Sequence, residues 1–231
     1  MKVERMRLVF ASNNAHKLAE VREIMPAGVE VLSLKDIGFE AEIEENGTTL
    51  EENSAIKAST VAAFIGERRM AKDERIDGVF ADDTGLDIDA LGGKPGVYTA
   101  RWYRMEDGTE CLQDAALQVK GEGEIFAANR ARALRELEGK SDRGAQFRTV
   151  ITLAFASLGH VPKPRFDIIQ VSGVVRGRIA EEEYGEGGFG YDPIFIPEGY
   201  DKTFGELPTA IKNSISHRSR ALAALVKVLN S

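Results

Sequence analysis

Leu8-Val9-Phe10-Ala11-Ser12-Asn13-Asn14-Ala15-His16-Lys17 is an apolar run that breaks on a polar turn. The four apolar residues read as a buried strand, and Ser12-Asn13-Asn14 as its turn. Beyond the turn Leu18, Val21 and Ile24 or Met25 share one helical face, which Pro26 ends. Val29 to Leu34 reads as a second strand. Leu50 to Arg69 reads as a long Ala-rich helix, and Val79-Phe80-Ala81 as a short strand ending at Asp82-Asp83. Later, Phe147 to Ala156 and Phe166 to Ile179 read as two long strands, antiparallel neighbours. A short strand near Ile194-Phe195-Ile196 follows. The last helix, from about Ser216, carries Leu222, Leu225, Val226 and Leu229 on one face, with Ser216 as a candidate cap. Helices and strands interleave early and the long strands come late, which predicts an α/β protein with a mixed β-sheet and flanking helices.

Between these elements, residues 38–49 read as an acidic loop and residues 139–145 as a polar linker. Residues 84–100 carry Gly85, Gly92, Gly93, Pro95 and Gly96 and read as an ordered loop region, while 110–138 read as two helices split near Gly121 and Gly123. The chain has 231 residues, enough for one large domain or two lobes. Its 30 Lys and Arg against 37 Asp and Glu give a net charge of −7. That argues against sequence-independent nucleic-acid binding, though a local basic pocket can still hold a small phosphate ligand. The single cysteine, Cys111, can form neither an intrachain disulfide nor a cysteine metal cage, and suits a reducing compartment. The first apolar run is too short for a signal peptide, and no stretch approaches the ~20 apolar residues of a membrane span. A cytoplasmic protein with no membrane partner is expected. Three histidines, His16, His160 and His217, support neither a Ser-His-Asp triad nor a histidine zinc site.

Four segments carry chemistry. Ser12 to Lys17 sits where a strand gives way to a helix, whose N-terminus is an anion site. Lys17 in the first turn opposes the dipole, which fits a phosphate beside it, or an ordinary capped helix with a solvated lysine. The glycines of a Walker loop are absent. Asp82-Asp83-Thr84-Gly85 places two acids after a strand, where neighbours point to opposite faces, so one acid would face a cleft. It could hold Mg²⁺ or orient a water; the alternative is a plain Asp-Gly turn. Gly185-Glu186-Gly187-Gly188-Phe189-Gly190 matches the dinucleotide glycine pattern, but Pro193 leads into a strand rather than a helix, so that reading is rejected. The loop presents Phe189 and Tyr191 either to stack on a base or to fill the core. Lys212-Asn213-Ser214-Ile215-Ser216-His217-Arg218 gathers cations at a helix start, where His217 and Arg218 can donate to a carbonyl oxygen or form a solvated basic turn. Together these describe a binder of a phosphorylated aromatic ligand, with a divalent ion and acidic chemistry.

Six motifs in order then resemble the inosine triphosphate pyrophosphatase family, the non-standard purine NTP pyrophosphatases. They are Ala11 to Lys17, Asn53 to Ala58, Ala81 to Leu86, Leu91-Gly92-Gly93-Lys94-Pro95-Gly96-Val97-Tyr98, Gly187 to Pro193, and Ser214 to Arg218. The resemblance extends from residue 8 to about 229. It implies an elongated α/β fold with two lobes around a central nucleotide-binding cleft, a homodimer, and Mg²⁺-dependent conversion of ITP, dITP and XTP to monophosphate and pyrophosphate. Carried over by motif, Asp83 resembles the proton acceptor and a metal ligand. Glu44 resembles the second metal ligand, with the adjacent Glu45 one residue away. Ser12, Asn13, Asn14, Ala15, His16 and Lys17 match the triphosphate loop, and Lys57 a supporting charge. Thr84 matches a substrate contact. Phe189, Gly190, Tyr191 and Asp192 resemble the base-binding loop, and Lys212, His217 and Arg218 the rest of the nucleotide pocket. Asn13 stands where the family often has Gly, Thr84 where it commonly has Ser. Residues 105–145 read as a helical insertion within a single domain, residues 1–231. A related hydrolase of modified pyrimidine nucleotides and a non-enzymatic nucleotide-binding regulator are the competing readings.

Overall fold

Residue parity along the strands decides which face of the sheet each side chain covers. The computed structural model describes residues 6–67, 76–106, 109–110, 121–156 and 166–230. In chain order the elements are β1 (Met6–Phe10), α1 (Ala15–Ile24), β2 (Val29–Leu32), α2 (Leu50–Glu67), β3 (Gly78–Ile88), β4 (Lys94–Gly96), β5 (Met105–Glu106), β6 (Thr109–Glu110), α3 (Glu122–Glu136), β7 (Gly144–Ala156), β8 (Phe166–Ile179), β9 (Phe195–Pro197), α4 (Thr209–Ile215) and α5 (His217–Leu229). The chain divides into two compact units. One takes Met1–Asp83, Thr149–Gly173 and His217–Ser231, the other Thr84–Arg148 and Val174–Ser216. Among the described residues no helix is long and apolar enough to cross a membrane.

In the first unit β1 pairs in parallel with β2, Leu8 opposite Val31, and with β3, Phe10 opposite Phe80. The strand order runs β2-β1-β3-β7-β8. Parallel strands covered on both faces read as continuous apolar runs, which is what Leu8 to Ala11 shows. Leu8, Phe10 and Phe80 point to one face, where α1 and α5 cover them through Val21, Leu222 and Leu225. Val9, Ala11, Val79 and Ala81 point to the other, against Ala58, Val61 and Ala62 of α2. Where β8 passes beneath the start of α5, Gly173 is required: a Cβ there would lie 2.2 Å from the His217 carbonyl oxygen and 2.4 Å from the Ala221 nitrogen.

In the second unit the far end of β3 pairs antiparallel with β4, Leu86 opposite Gly96. The far end of β8 pairs antiparallel with β9, Ile179 opposite Phe195. Leu86, Ile88, Trp102, Ala133, Leu137, Phe147, Ile179 and Phe195 belong to its core. Arg132 of α3 lies over the Trp102 ring, 4.9 Å from its centroid, and donates to the Trp102 and Met105 carbonyls.

The mixed α/β class expected from the sequence is the one observed, with two local corrections. The strand expected to end at Asp82-Asp83 continues to Ile88, because Leu86 and Ile88 alternate into the second core; of the glycines that suggested a loop, Gly85 lies within β3, Gly92 and Gly93 form the turn after it, and Gly96 ends β4. The helix expected from Ser216 is preceded by a separate short one, α4. Ser216 itself is extended and returns its N–H to the Lys212 carbonyl at 2.9 Å. Of the two helices expected over 110–138, α3 is the second; the first falls on 111–120, outside the described residues.

Candidate active site

The β1–α1 turn is built from its own polar side chains. Asn14 is the N-cap of α1, its Oδ1 accepting the Lys17 N–H at 2.9 Å, and its own N–H reaches the Ser12 Oγ at 3.3 Å. Asn13, Ala15 and His16 are exposed on this turn. The Lys17 ammonium bonds Asp82 Oδ1 at 3.0 Å. Here a lysine that opposes the helix dipole has a protein carboxylate as its counter-ion.

Alternation on β3 then separates the two acids. Asp82 follows Phe80 to the face covered by α1 and α5. Its Oδ2 accepts from Arg218 Nε at 3.1 Å, and Arg218 Nη1 also pairs with Glu20. Arg218 and Asp82 side chains are each only 2% exposed. Asp83 follows Ala81 to the α2 face. Its Oδ1 accepts from Lys57 Nζ at 3.2 Å and its Oδ2 from Asn53 Nδ2 at 3.4 Å. Asn53 and Lys57 lie four residues apart on α2 and so share one helical face. Lys57 also bonds Glu45 at 2.8 Å, and Asn53 Oδ1 accepts the Gly47 N–H at 2.8 Å, so one helix face holds the acidic loop and Asp83 together.

The charges act differently on the two acids. Burial alone would raise the Asp82 carboxyl, but Lys17, Arg218 and Lys57 outweigh it and hold that group well below the usual carboxylate range. Burial raises the Asp83 carboxyl, with Glu45 adding to it, and Lys57 and Lys17 compensate only in part. Burial lowers the Lys17 ammonium, as do the cations of Lys57 and Arg218, against the pull of Asp82. Burial acts on Lys57 too, but Asp83, Glu45 and Asp82 more than offset it, and its ammonium is held above the ordinary value. Two adjacent carboxylates whose proton affinities are pushed apart are the arrangement from which acid–base roles are assigned.

In the second unit the glycine-rich loop is organised by Asp192. Its Oδ2 accepts the Phe189 N–H and the Lys212 ammonium, both at 2.7 Å, and Lys212 Nζ lies 4.9 Å from the Phe189 ring centroid. Gly188 has φ +74°, and a Cβ there would sit 2.1 Å from that same carboxylate oxygen. Tyr191 is a core residue, its phenol donating to the Thr99 carbonyl at 3.1 Å and raised by burial. Thr84, half-buried, begins this unit directly after Asp83.

The expected residues therefore fall into groups: Lys17 with Arg218 through Asp82, Lys57 with Asp83, and Phe189, Asp192 and Lys212 together. His217 is buried at the start of α5. Glu44 is exposed, and it is Glu45 that meets Lys57. Asn53, Asp82 and Glu20 were given no role from sequence, although the Asn53/Lys57 spacing of one helical turn was a usable signal. Among the described residues no group of three His, Cys, Asp or Glu is gathered for a metal. Asp83 and Glu45, converging on one ammonium, are the hard oxygen donors Mg²⁺ takes, and that ion is commonly held by one or two carboxylates with waters and substrate phosphates. The donor set fits.

Lysines and two split carboxylates gathered midway along β3, on a mixed α/β fold, make a candidate site for a phosphate-bearing substrate. The chain belongs to the Ham1 family, whose model matches residues 8–228. It is 39% identical over 226 residues to the dITP/XTP pyrophosphatase of Flavobacterium johnsoniae, covering 98% of this chain and 99% of that protein. It is 41% identical to the dITP/XTP pyrophosphatase of Bacillus subtilis, covering 96% of each. A HAM1 protein from Coxiella burnetii superposes with a TM-score of 0.73 at 34% identity, over 97% of this chain and 98% of that one.

Proposed function

We propose that this protein hydrolyses non-standard purine nucleoside triphosphates, ITP, dITP and XTP, to the monophosphate and pyrophosphate. It is a hydrolase of nucleotide metabolism, as its relatives' names indicate. The observation that carries the reading is the split acid pair: Asp82 kept ionised between Lys17 and Arg218, Asp83 made more basic by burial beside Lys57. A water oxygen attacks the α-phosphorus, the bond to the bridging oxygen breaks, and pyrophosphate leaves with that oxygen. The water's proton passes to Asp83 at Oδ2, whose protein partner Asn53 is a distant 3.4 Å away. Lys17 and Lys57 offset phosphate charge, with Ser12 to His16 presenting the turn. Asp83 and Glu45, rather than the exposed Glu44, would hold Mg²⁺, which when bound supplies further charge neutralisation on the phosphates.

Phe189 offers the ring on which a purine stacks, with Gly190, Tyr191, Asp192 and Lys212 shaping the loop, and Thr84 contacts substrate. His217 donates to an oxygen at purine position 6. An amino group there would set donor against donor, and one unmet buried polar group costs about 1–3 kcal/mol. Arg218, engaged by Asp82 and Glu20, supports this end of α5 from beneath. The reading includes a cytoplasmic homodimer, which sedimentation and fractionation would test.

Pyrophosphate release from ITP, dITP, XTP, ATP, GTP and dTTP, each with and without Mg²⁺, tests the reading. Mg²⁺-dependent release selective for the first three is expected. Release from dTTP but not ITP would move the substrate class to pyrimidines. No release from any would leave a nucleotide-binding protein.

A further inference from the structure

The loop that carries Phe189 is soft by composition. Gly188 and Gly190 have φ +74° and +62°, and glycine loses more conformational freedom on folding than any other residue. The beginning of the loop rests on backbone bonds, Gly187 N–H to the Gly205 carbonyl at 3.0 Å and Tyr184 N–H to the Pro193 carbonyl at 2.8 Å. From Gly188 to Gly190 two side chains add to one backbone bond, Asp192 N–H to the Phe189 carbonyl at 3.2 Å. Asp192 holds the Phe189 N–H. Arg130, from α3, donates through Nη1 to the Gly190 carbonyl at 2.9 Å, and its Nη2 pairs with Glu183 at 2.9 Å. One guanidinium thus ties the residues before the loop to its far end. A planar fork holds its separate donors at a fixed spacing, which suits two acceptors set apart.

Phe126 precedes Arg130 by four residues and shares its face of α3. Its ring lies 6.1 Å from that of Phe189, tilted by 45°. Lys212 stands 4.9 Å from the Phe189 centroid. The Phe189 ring is therefore oriented by groups from α3 and α4. Arg130 Nε is buried with no hydrogen-bond partner among the described residues. A buried unmet donor is unfavourable, so Arg130 is a costly choice if its role were only to fill space.

We propose that Arg130, with Phe126, is a specificity-determining positioning residue: α3 sets the placement of the Phe189 loop and through it the discrimination between purines. This rests on the reading of Phe189 as the base-stacking ring. The test compares Arg130→Ala and Phe189→Ala with the unaltered chain, reading kcat and KM for ITP and ATP and inhibition by inorganic tripolyphosphate, which has no base. Arg130→Ala should raise the KM for ITP about tenfold, near the weight of one charge-assisted hydrogen bond. It should narrow the ITP-to-ATP ratio of kcat/KM and leave tripolyphosphate inhibition unchanged. Phe189→Ala should move KM and selectivity in the same direction. Unaltered KM and selectivity in Arg130→Ala, with Phe189→Ala impaired, would overturn the role of α3 and leave base stacking intact. Unaltered values in both would overturn the stacking reading and this inference with it. Weakened tripolyphosphate inhibition in Arg130→Ala would also overturn it, since the damage would then be general. Should Arg130→Ala not fold, Arg130→Met keeps the packing of the stem and carries the same expectations and refutations.

Discussion

Asp82 and Asp83 are neighbours held in opposite electrostatic settings, and each makes its own prediction. Asp83→Asn removes the proposed proton acceptor from a place where its charge is already disfavoured. Turnover of ITP should fall by about 10²–10⁴, while the thermal midpoint stays close to that of the unaltered chain. Asp82→Asn should do the reverse damage. It leaves Arg218, buried, without one of its two carboxylates, and Lys17 without its counter-ion, and breaking a buried pair costs about 3–5 kcal/mol. The pH dependence follows from the sign of the shift. Asp82 is held low in the fold, so the unfolded chain takes up its proton first. Its stabilisation is present above about pH 4, the unfolded value, and is lost as the pH falls further. Asp83, raised in the fold, contributes with opposite sign, so the comparison must be a difference. The gap between the urea midpoints of the two metal-free proteins should hold steady from about pH 7 to about pH 4 and narrow as the pH is taken on toward about pH 3. A gap constant over the whole range would mean that Asp82 is not ionised in the fold.

At the scale of elements, the lesson is where periodicity exists. β1 and α1 were legible because an apolar run and an i, i+3 pattern each have one reading, and Pro26 marked the stop. The alternation that parts Asp82 from Asp83 was legible too. The extension of β3 through Leu86 and Ile88 was hidden by Gly85 within the strand and by the glycines of the turn and β4 that follow it. Glu44 and Glu45 were left unseparated, although Phe39, Ala41 and Ile43 alternate with Glu40, Glu42 and Glu44, a period of two that puts Glu45 rather than Glu44 on the apolar side. In the structure it is Glu45 that meets Lys57. Nor does sequence show that β8 runs hard beneath α5. Gly173→Ala tests that contact. The added methyl meets backbone on α5, not a mobile side chain, so the helix start carrying His217 must shift. Overpacking of this kind costs about 1–3 kcal/mol. A domain of this size loses about 2–4 °C of Tm for each kcal/mol, and a scanning calorimeter would read the drop. An unchanged Tm would mean that α5 can move away freely.

At the scale of the whole molecule, the chain carries a net charge of −7 yet handles a polyanion. The resolution is local: Lys17, Lys57 and Arg218 cluster around two adjacent acids, whereas Phe189 and His217, the residues proposed to read the base, are given no part in holding phosphate. This division predicts that phosphate affinity and base choice respond to different substitutions. Lys17→Ala removes a charge that acts on any triphosphate. It should raise the KM for ITP and for ATP by similar factors, about tenfold to a hundredfold for a charge-assisted contact, and weaken tripolyphosphate inhibition in parallel. Lys17 pairs with Asp82 in the fold, so substrate must compete for it, and the loss on substitution should sit toward the lower end of that range. His217→Ala should instead lower the ITP-to-ATP ratio and spare tripolyphosphate inhibition. If Lys17→Ala changed the ratio as much as His217→Ala did, phosphate and base recognition would be one coupled event. The acidic chain would then be selecting whole nucleotides rather than reading their two ends separately.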